Sequence, residues 1–182
     1  MFTITTERAE DGPAIEALLD RSFGPQRQAK LSYGYREGVA PSIHLCLAAR
    51  ADSDGAIVGT IRFWPVAVGV RRQPALLLGP LAVEPALSGQ GIGRALIRQS
   101  LDMAGWARHR VVLLVGDESY YGRFGFRPAA PHGIVMPGEN PARLLVLELV
   151  PDALAQAGGA LLPWRSVRGR SIRSEASELK AA

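Results

Sequence analysis

The chain is poor in the residues that build disulfide and metal frameworks. Cys46 is the only cysteine among 182 residues, and no CxxC or cysteine–histidine spacing typical of a metal site occurs. Because Cys46 stands in the apolar run IHLCLAA, we expect a buried, unreactive thiol. The sequence therefore excludes an internal disulfide and predicts no metal site.

Long apolar runs are also missing. No run is long enough to cross a bilayer, and the chain does not open with a charged segment followed by an apolar one. We therefore expect a cytoplasmic protein with no membrane partner. Apolar residues make up 47% of the chain and charged residues 21%, proportions typical of a soluble protein with one substantial core.

Positive charge is scarce outside the C-terminal segment. Residues 163–182 carry five basic and two acidic residues and so contribute +3 of the net charge of +4, which leaves +1 for residues 1–162. A nucleic-acid-binding protein normally has a basic face on its fold, so we predict no nucleic-acid partner. Binding through the tail is the alternative, and it predicts strongly salt-dependent affinity. We interpret residues 1–150 as one domain and residues 151–182 as an extension ending in a partly flexible basic tail.

Hydrophobic periodicity predicts a mixture of strands and helices. Strands are expected at 2–8, 43–50, 56–68, 74–85, 110–117 and 142–150. Helices are expected at 13–23, capped by Asp11, and briefly within 119–126. A longer helix is expected after the glycines near residue 91, with an apolar stripe at positions 93, 96, 97, 100, 101 and 104. Gly79 and Pro80 interrupt the fourth strand, which predicts a bulge or a local separation of strands. The order predicts an α/β (α+β) fold with an antiparallel first half and a β-α-β crossover in the second.

A glycine-rich loop precedes the long helix. Gly89, Gly91 and Gly93 lie in the stretch LSGQGIGRAL, residues 87–96. Backbone N–H groups at a helix N-terminus attract anions, and glycine lets a ligand approach them. The stretch has no lysine, which excludes a Walker A loop, and Leu96 replaces the last glycine of a dinucleotide fingerprint. A coenzyme A pyrophosphate cradle and a tight turn without a ligand both remain open.

Two segments together resemble the GCN5-related N-acetyltransferase (GNAT) superfamily. They are GPLAVEPALSGQGIGRALI, residues 79–97, and VVLLVGDESYYGRFGFRPA, residues 111–129. The resemblance covers about residues 2 to 150, and the ending YYGRFGF is closer to a bacterial subgroup of predicted N-acetyltransferases than to the histone-modifying members. It implies a GNAT-type, mostly antiparallel central sheet flanked by helices, with a splayed fourth strand.

The resemblance implies acetyl-CoA as the acyl donor, bound without a metal. The pantetheine arm would lie along the backbone of Leu81, Ala82 and Val83, with Phe124 nearby. The pyrophosphate would lie on the loop made of Ser88, Gly89, Gln90, Gly91, Ile92, Gly93 and Arg94. Ser88 stands where the family pattern has arginine or glutamine, which weakens one expected phosphate contact, and Gln90 is out of position.

The resemblance also implies a catalytic role for Tyr121. It stands five residues before Phe126, at the position of the family's general acid, and its phenol would protonate the departing thiolate. The alternative is that Tyr121 only packs among neighbouring aromatic rings. No general base stands out; the candidates are Glu37, Glu84, Asp117, Glu118 and His132.

The acceptor would lie against the segment 24–41. Its charged and aromatic side chains, namely Arg27, Lys30, Tyr33, Tyr35, Arg36 and Glu37, would suit an acidic or aromatic acceptor, and a solvated loop is the alternative. Phe63 and Trp64 are candidates for an acceptor wall or for core packing. We therefore expect an N-acetyltransferase acting on a small-molecule or protein amine, and a homodimer is possible. The alternative function is an acyl-CoA-binding sensor or subunit without turnover.

Overall fold

A computed structural model describes residues 1–155 and 157–164 of the chain. The strands are β1 Phe2–Thr6, β2 Leu47–Ala51, β3 Ile57–Val68, β4 Gln73–Val83, β5 Val111–Val115, β6 Arg127–Pro128, β7 Ile134–Val135, β8 Leu144–Glu148 and β9 Gly159–Pro163. The α-helices are α1 Gly12–Phe23, α2 Leu31–Gly34, α3 Ile92–Trp106 and α4 Glu118–Tyr121.

The strands form one mixed sheet. Its order is β1-β2-β3-β4-β5-β8-β6, and β9 pairs with both β3 and β7. Pairing is antiparallel except between β4 and β5 and between β7 and β9. A parallel pair needs a crossover, and α3 supplies it between β4 and β5. The predicted mostly antiparallel sheet with one β-α-β crossover is confirmed.

Helix α3 packs closely on one face of the sheet. Its buried residues are Ile92, Leu96, Ile97, Ser100 and Ala104, which agrees with the predicted apolar stripe. The helix lies so near β3 that a Cβ at Gly59 would come within 2.8 Å of the Ile92 side chain. Glycine at this position therefore allows the close contact between α3 and the sheet.

The central strands are buried on both faces. Leu76 and Leu78 of β4 join the core beneath α3, whereas Ala75 and Leu77 join a second core on the opposite face. This explains the continuous apolar run in β4, because a strand covered on both faces has no polar side. Helix α1 covers the edge of the second face with Ile15, Leu18 and Leu19.

Two local predictions were wrong. Asp11 does not cap α1 with its side chain. It is 4% exposed and accepts hydrogen bonds from the Arg50 guanidinium at 2.6 Å and from the backbone N–H of Arg8 at 2.8 Å. A charged partner on β2 thus takes the carboxylate that would otherwise cap the helix. The second predicted strand also begins later, because Ile43–Leu45 form a 3-10 turn.

The extension after residue 150 contains a strand that periodicity did not predict. We expected only an extension ending in a tail there, whereas β9 pairs with the end of β3 from Val66↔Pro163 to Val68↔Leu161. A Cβ at Gly69 would collide with the carbonyl oxygen of Gly158, so the two segments approach closely. The basic part of the predicted tail, residues 165–182, lies outside the described residues.

Other expectations concern the thiol, membranes and metals. Cys46 is fully buried, which confirms the predicted core position, and burial raises the pKa of its thiol to about 11. Within residues 1–155 and 157–164, no helix combines the length and apolar character that a membrane span requires. The same residues contain no cluster of three or more histidine, cysteine or acidic side chains placed to hold a metal ion.

Candidate active site

Strand β4 parts from β5 halfway along its length. The two strands pair only at Leu76↔Val112 and Leu77↔Leu113, although β4 continues to Val83. On its other edge β4 stays paired with β3, and the register shifts between Ile61↔Leu81 and Phe63↔Leu78. Gly79 and Pro80 therefore oppose one residue of β3, as in a β-bulge. The predicted interruption and splaying of this strand are confirmed, and they leave one edge of β4 open.

A cleft of about 620 Å³ occupies the space where β4 and β5 separate. We call it the main cleft. Its walls come from β4, from the end of β5 with the following turn, from α4, and from the segment between α1 and α2. The residues that line it include Arg36, Leu78, Gly79, Leu81, Asp117, Tyr120 and Tyr121.

A second, smaller groove of about 300 Å³ lies at the start of α3. We call it the glycine groove. It is lined by Val83, Leu87, Ser88, Gly89, Gly91, Ile92, Gly93, Arg94, Tyr120, Arg123 and Phe124. Gly91 is the N-cap of α3 in a left-handed conformation (φ 85°) and has no side chain to cap the helix. The first-turn N–H groups lack intrahelical acceptors, so the groove is suited to an anion.

Tyr120 lies where the main cleft and the glycine groove meet, since it lines both. Its hydroxyl would be 3.1 Å from a Cβ at Gly93. A side chain at position 93 would therefore press on the tyrosine. Leu81 of β4 lines the main cleft and Val83 lines the groove, so the strand runs past this junction. An extended ligand lying along β4 would contact both spaces.

Neighbouring aromatic rings pack around Tyr121 in the main cleft, and a glycine leaves space for its ring. Its ring packs edge-on against Tyr120, with centroids 4.9 Å apart, and against Phe126, with centroids 6.0 Å apart. A Cβ at Gly116 would lie 2.4 Å from the Tyr121 ring, so only glycine leaves room for it. Burial raises the pKa of Tyr121 to about 12, with Tyr120 and Asp117 adding to the effect. The phenol therefore keeps its proton at neutral pH and can donate it.

Few carboxylates reach the main cleft. Of the five candidate bases, Asp117 alone is among the described residues that line it, and it faces Arg143 at 3.5 Å. Glu84 instead pairs with Arg21 at 2.8 Å on the surface. Glu139 also lines the cleft and was not among the candidates. The structure thus favours Asp117 or Glu139 over the other acids by position.

Most of the predicted coenzyme-binding residues lie in one of the two spaces, with two exceptions. Ala82 is buried against α1, and Gln90 is exposed; neither lines the main cleft or the glycine groove. Phe63 and Trp64 pack in the two cores rather than forming a cleft wall. Arg123 lines the groove and was missed, although its place between Tyr121 and Phe124 in the sequence was a usable signal.

The comparisons with known proteins agree with this geometry. The acetyltransferase (GNAT) domain model matches residues 42–128, a range that includes the open edge of β4 and the glycine groove. The uncharacterized N-acetyltransferase YhbS of Escherichia coli K12 is 35% identical over 153 residues, which are 83% of this chain and 89% of YhbS. The chain belongs to the GNAT acetyltransferase family.

This chain is also similar in fold to solved GNAT structures. The crystal structure of E. coli YhbS in complex with CoA superposes with a TM-score of 0.77 at 34% identity, covering 88% of each chain. A GNAT acetyltransferase from Brucella melitensis in complex with acetyl-CoA gives a TM-score of 0.68 at 29% identity, covering 89% of this chain and 95% of that one. The family predicted from the paired motifs and the GNAT-type fold are both confirmed.

Proposed function

We propose that this GNAT protein transfers an acetyl group from acetyl-CoA to a primary amine. The observation that carries the proposal is the junction of three features at one place: the open edge of β4, the anion-suited glycine groove, and the protonated phenol of Tyr121. Two similar GNAT structures contain CoA or acetyl-CoA, which supports the same donor here.

Acetyl-CoA would bind across the groove and the cleft as an acyl-donor substrate. Its pyrophosphate lies on the backbone N–H groups of residue 89 and residues 91–94, and Ser88 adds a hydroxyl. The pantetheine arm runs along residues 81–83 and passes Phe124 and Tyr120. Backbone N–H groups on the open edge of β4 then polarise the thioester carbonyl. The fit is supported by the groove, which glycines keep free of side chains where the phosphates would lie.

The reaction proceeds by direct attack of the amine on the thioester. The neutral amine forms a bond to the carbonyl carbon, and the carbonyl oxygen gains negative charge that the backbone donors stabilise. Collapse of this intermediate breaks the carbon–sulfur bond, and Tyr121 gives its proton to the departing thiolate. The proton lost by the amine passes to water or to a carboxylate of the main cleft, and Tyr121 regains a proton from the solvent, so no net proton is released. The products are the N-acetylated amine and CoA.

Turnover against a panel of amines tests this proposal. The purified protein is incubated with acetyl-CoA and each amine, and released CoA is measured with a thiol reagent; the buried Cys46 contributes little background. Release of CoA that depends on the amine is the expected result. Tight binding of acetyl-CoA without release for any amine would instead favour the sensor or subunit, an alternative that the serine at position 88 supports.

Ser88→Gln should tighten binding of CoA about 3- to 10-fold. Ser88 lines the groove, and a glutamine amide there adds a hydrogen-bond donor for the pyrophosphate. Titration calorimetry with CoA measures the change. Gln90→Ala is the matched control, because Gln90 is exposed and lies outside the groove. The affinity of this variant for CoA should equal that of the wild type. Unchanged or weaker binding by Ser88→Gln would show that the pyrophosphate lies elsewhere.

We place the protein in the cytoplasm. We assign the acyltransferase domain to residues 1–150, with β9 of the extension 151–182 adding a strand to its sheet. A homodimer is proposed without a defined interface. Removing residues 165–182 should leave turnover unchanged, because the two spaces described above are built from residues 23–143. A loss of activity in that truncated chain, measured with the same assay, would assign the tail a catalytic role.

A further inference from the structure

Arg36 follows α2 and reaches into the main cleft. Its guanidinium stacks on the ring of Tyr33, 4.1 Å from the centroid, and lies 5.9 Å from the ring of Trp64. On the cleft side, a Cβ at Gly79 would be 3.3 Å from Arg36 Nη2. The charged group therefore stands beside the residue at which β4 parts from β5.

No carboxylate of the described residues neutralises Arg36. Its Nε and Nη1 atoms are buried and have no hydrogen-bond acceptor among those residues, and no acidic oxygen there lies within ion-pair distance. Arg27 and Arg62, by contrast, each bind two carboxylates. A buried charge without a partner is costly, and a bound anion would remove that cost.

The surroundings of the Arg36 guanidinium also disfavour its positive charge. Burial lowers the pKa of Arg36 to about 10, and the nearby cations Arg62 and Arg27 act in the same direction, while Tyr33 opposes them. The group still carries its positive charge at neutral pH. Of the other cations lining the cleft, Arg143 faces Asp117 and Lys30 stacks on the ring of Phe23. Arg36 is thus the cation next to the open β4 edge whose charge is unmatched within residues 1–155 and 157–164.

We propose that Arg36 binds the carboxylate of the acceptor, and that the acceptor is a small amino carboxylate such as an amino acid. This inference rests on the proposed acetyl transfer, since it places an anion beside the site of reaction. A carboxylate on Arg36 lies next to Gly79, so an amine a few bonds away reaches the open edge of β4. A protein amine without a neighbouring carboxylate gains nothing from this contact.

The test compares three acceptors that differ only at the carboxylate: phenylalanine, phenylalaninamide and phenethylamine. With wild-type protein and saturating acetyl-CoA, kcat/KM for the amino acid should exceed that for the other two about 10- to 100-fold, the range of a charge-assisted pair. Arg36→Met should abolish this preference by lowering the value for the amino acid alone. The KM for acetyl-CoA should not change, and Arg36→Lys should restore part of the preference.

Two controls separate a binding role from a structural one. Lys30→Met removes another cation of the cleft and should retain the preference for the carboxylate. Arg36→Met should melt at the same temperature as the wild type or higher, because it removes a charge that has no carboxylate partner in the described chain. A strongly lowered melting temperature would assign Arg36 a structural role and overturn the proposal.

The outcomes distinguish the acceptor proposal from the proposed function. Equal use of the three acceptors, or a peptide amine as the best substrate, overturns the acceptor proposal and leaves acetyl transfer standing. If neither these three acceptors nor any amine of the panel is acetylated, the proposed function fails. Calorimetric binding of N-acetylphenylalanine in the presence of CoA then tests the carboxylate site by itself. Binding that Arg36→Met removes and Lys30→Met keeps supports a carboxylate site at Arg36; binding unaffected by Arg36→Met overturns it.

Discussion

Tyr121→Phe is expected to lower kcat for acetyl transfer by about 10²- to 10⁴-fold, the usual contribution of a positioned general acid. The substitution removes only the hydroxyl, so the edge-on packing against Tyr120 and Phe126 is kept. The KM for acetyl-CoA should change little, because the proposed pyrophosphate and pantetheine contacts lie on other residues. Steady-state kinetics with a saturating acceptor, together with a thermal melt, measures both effects.

The control for this variant is Tyr120→Phe. Tyr120 is the adjacent phenol, is 38% exposed and lies at the junction of the two spaces. Removal of the Tyr120 hydroxyl should lower kcat by less than about 10-fold.

The activity of the wild type should also be insensitive to pH in one respect. Because the pKa of Tyr121 is about 12, activity should not fall between pH 7 and pH 10 through loss of the acid. Activity of Tyr121→Phe within threefold of the wild type would remove this residue from the mechanism.

Arg62→Met is expected to lower the free energy of unfolding by about 3–5 kcal/mol. Arg62 binds Glu7 through two hydrogen bonds, of 2.6 and 2.8 Å, and binds Glu16 at 2.9 Å. The side chains of Arg62 and Glu7 are 13% and 10% exposed, so the substitution leaves a carboxylate buried without its partner. Chemical denaturation at neutral pH measures the loss, which is a large part of the stability of an ordinary domain.

Two further variants test whether the loss of stability comes from the buried ion pair. Arg21→Met breaks an exposed pair with Glu84 and should cost no more than about 1 kcal/mol. The double variant Glu7→Leu with Arg62→Met removes both charges and should recover part of the lost stability. If Arg21→Met and Arg62→Met destabilise the protein equally, the burial of the Arg62–Glu7 pair does not increase its contribution to stability.

The effect of Arg62→Met should also depend on pH. Burial alone would raise the pKa of Glu16, but hydrogen bonds from Arg27 and Arg62 lower it below its ordinary value of 4.5. A carboxylate whose pKa is lower in the folded state stabilises the fold above its unfolded pKa and loses this effect as pH falls. The stability difference between wild type and Arg62→Met should therefore shrink below about pH 4.5.

Local patterns predicted those parts of the fold and site that depend on neighbours in sequence. The stripe of α3 and the break at Gly79 follow from residue types a few positions apart, and both are present. The loop around Gly91 was placed correctly at the start of the helix for the same reason. The paired motifs then indicated the family, which the comparisons confirm.

Other features depend on distant parts of the chain and were not predictable from local sequence. Strand β9 is short and flanked by glycine, and its existence depends on pairing with β3 about 95 residues earlier. Arg36 is distinctive only because the fold assigns Glu16 and Asp20 to Arg27 instead. The position of Tyr120 at the junction of two spaces likewise depends on how closely Gly93 of α3 approaches it.

In heavy water, the two halves of β4 should lose their amide protons at different rates. Leu76 and Leu77 lie between two hydrogen-bonded neighbours, whereas residues 79–83 have a partner strand on one side only. Amides on the open side should exchange rapidly in the free protein and slowly with saturating acetyl-CoA, while those of Leu76 and Leu77 stay protected in both states. One continuous strand thus combines a permanently paired half with a half that, in the proposed complex, has a substrate for its missing neighbour.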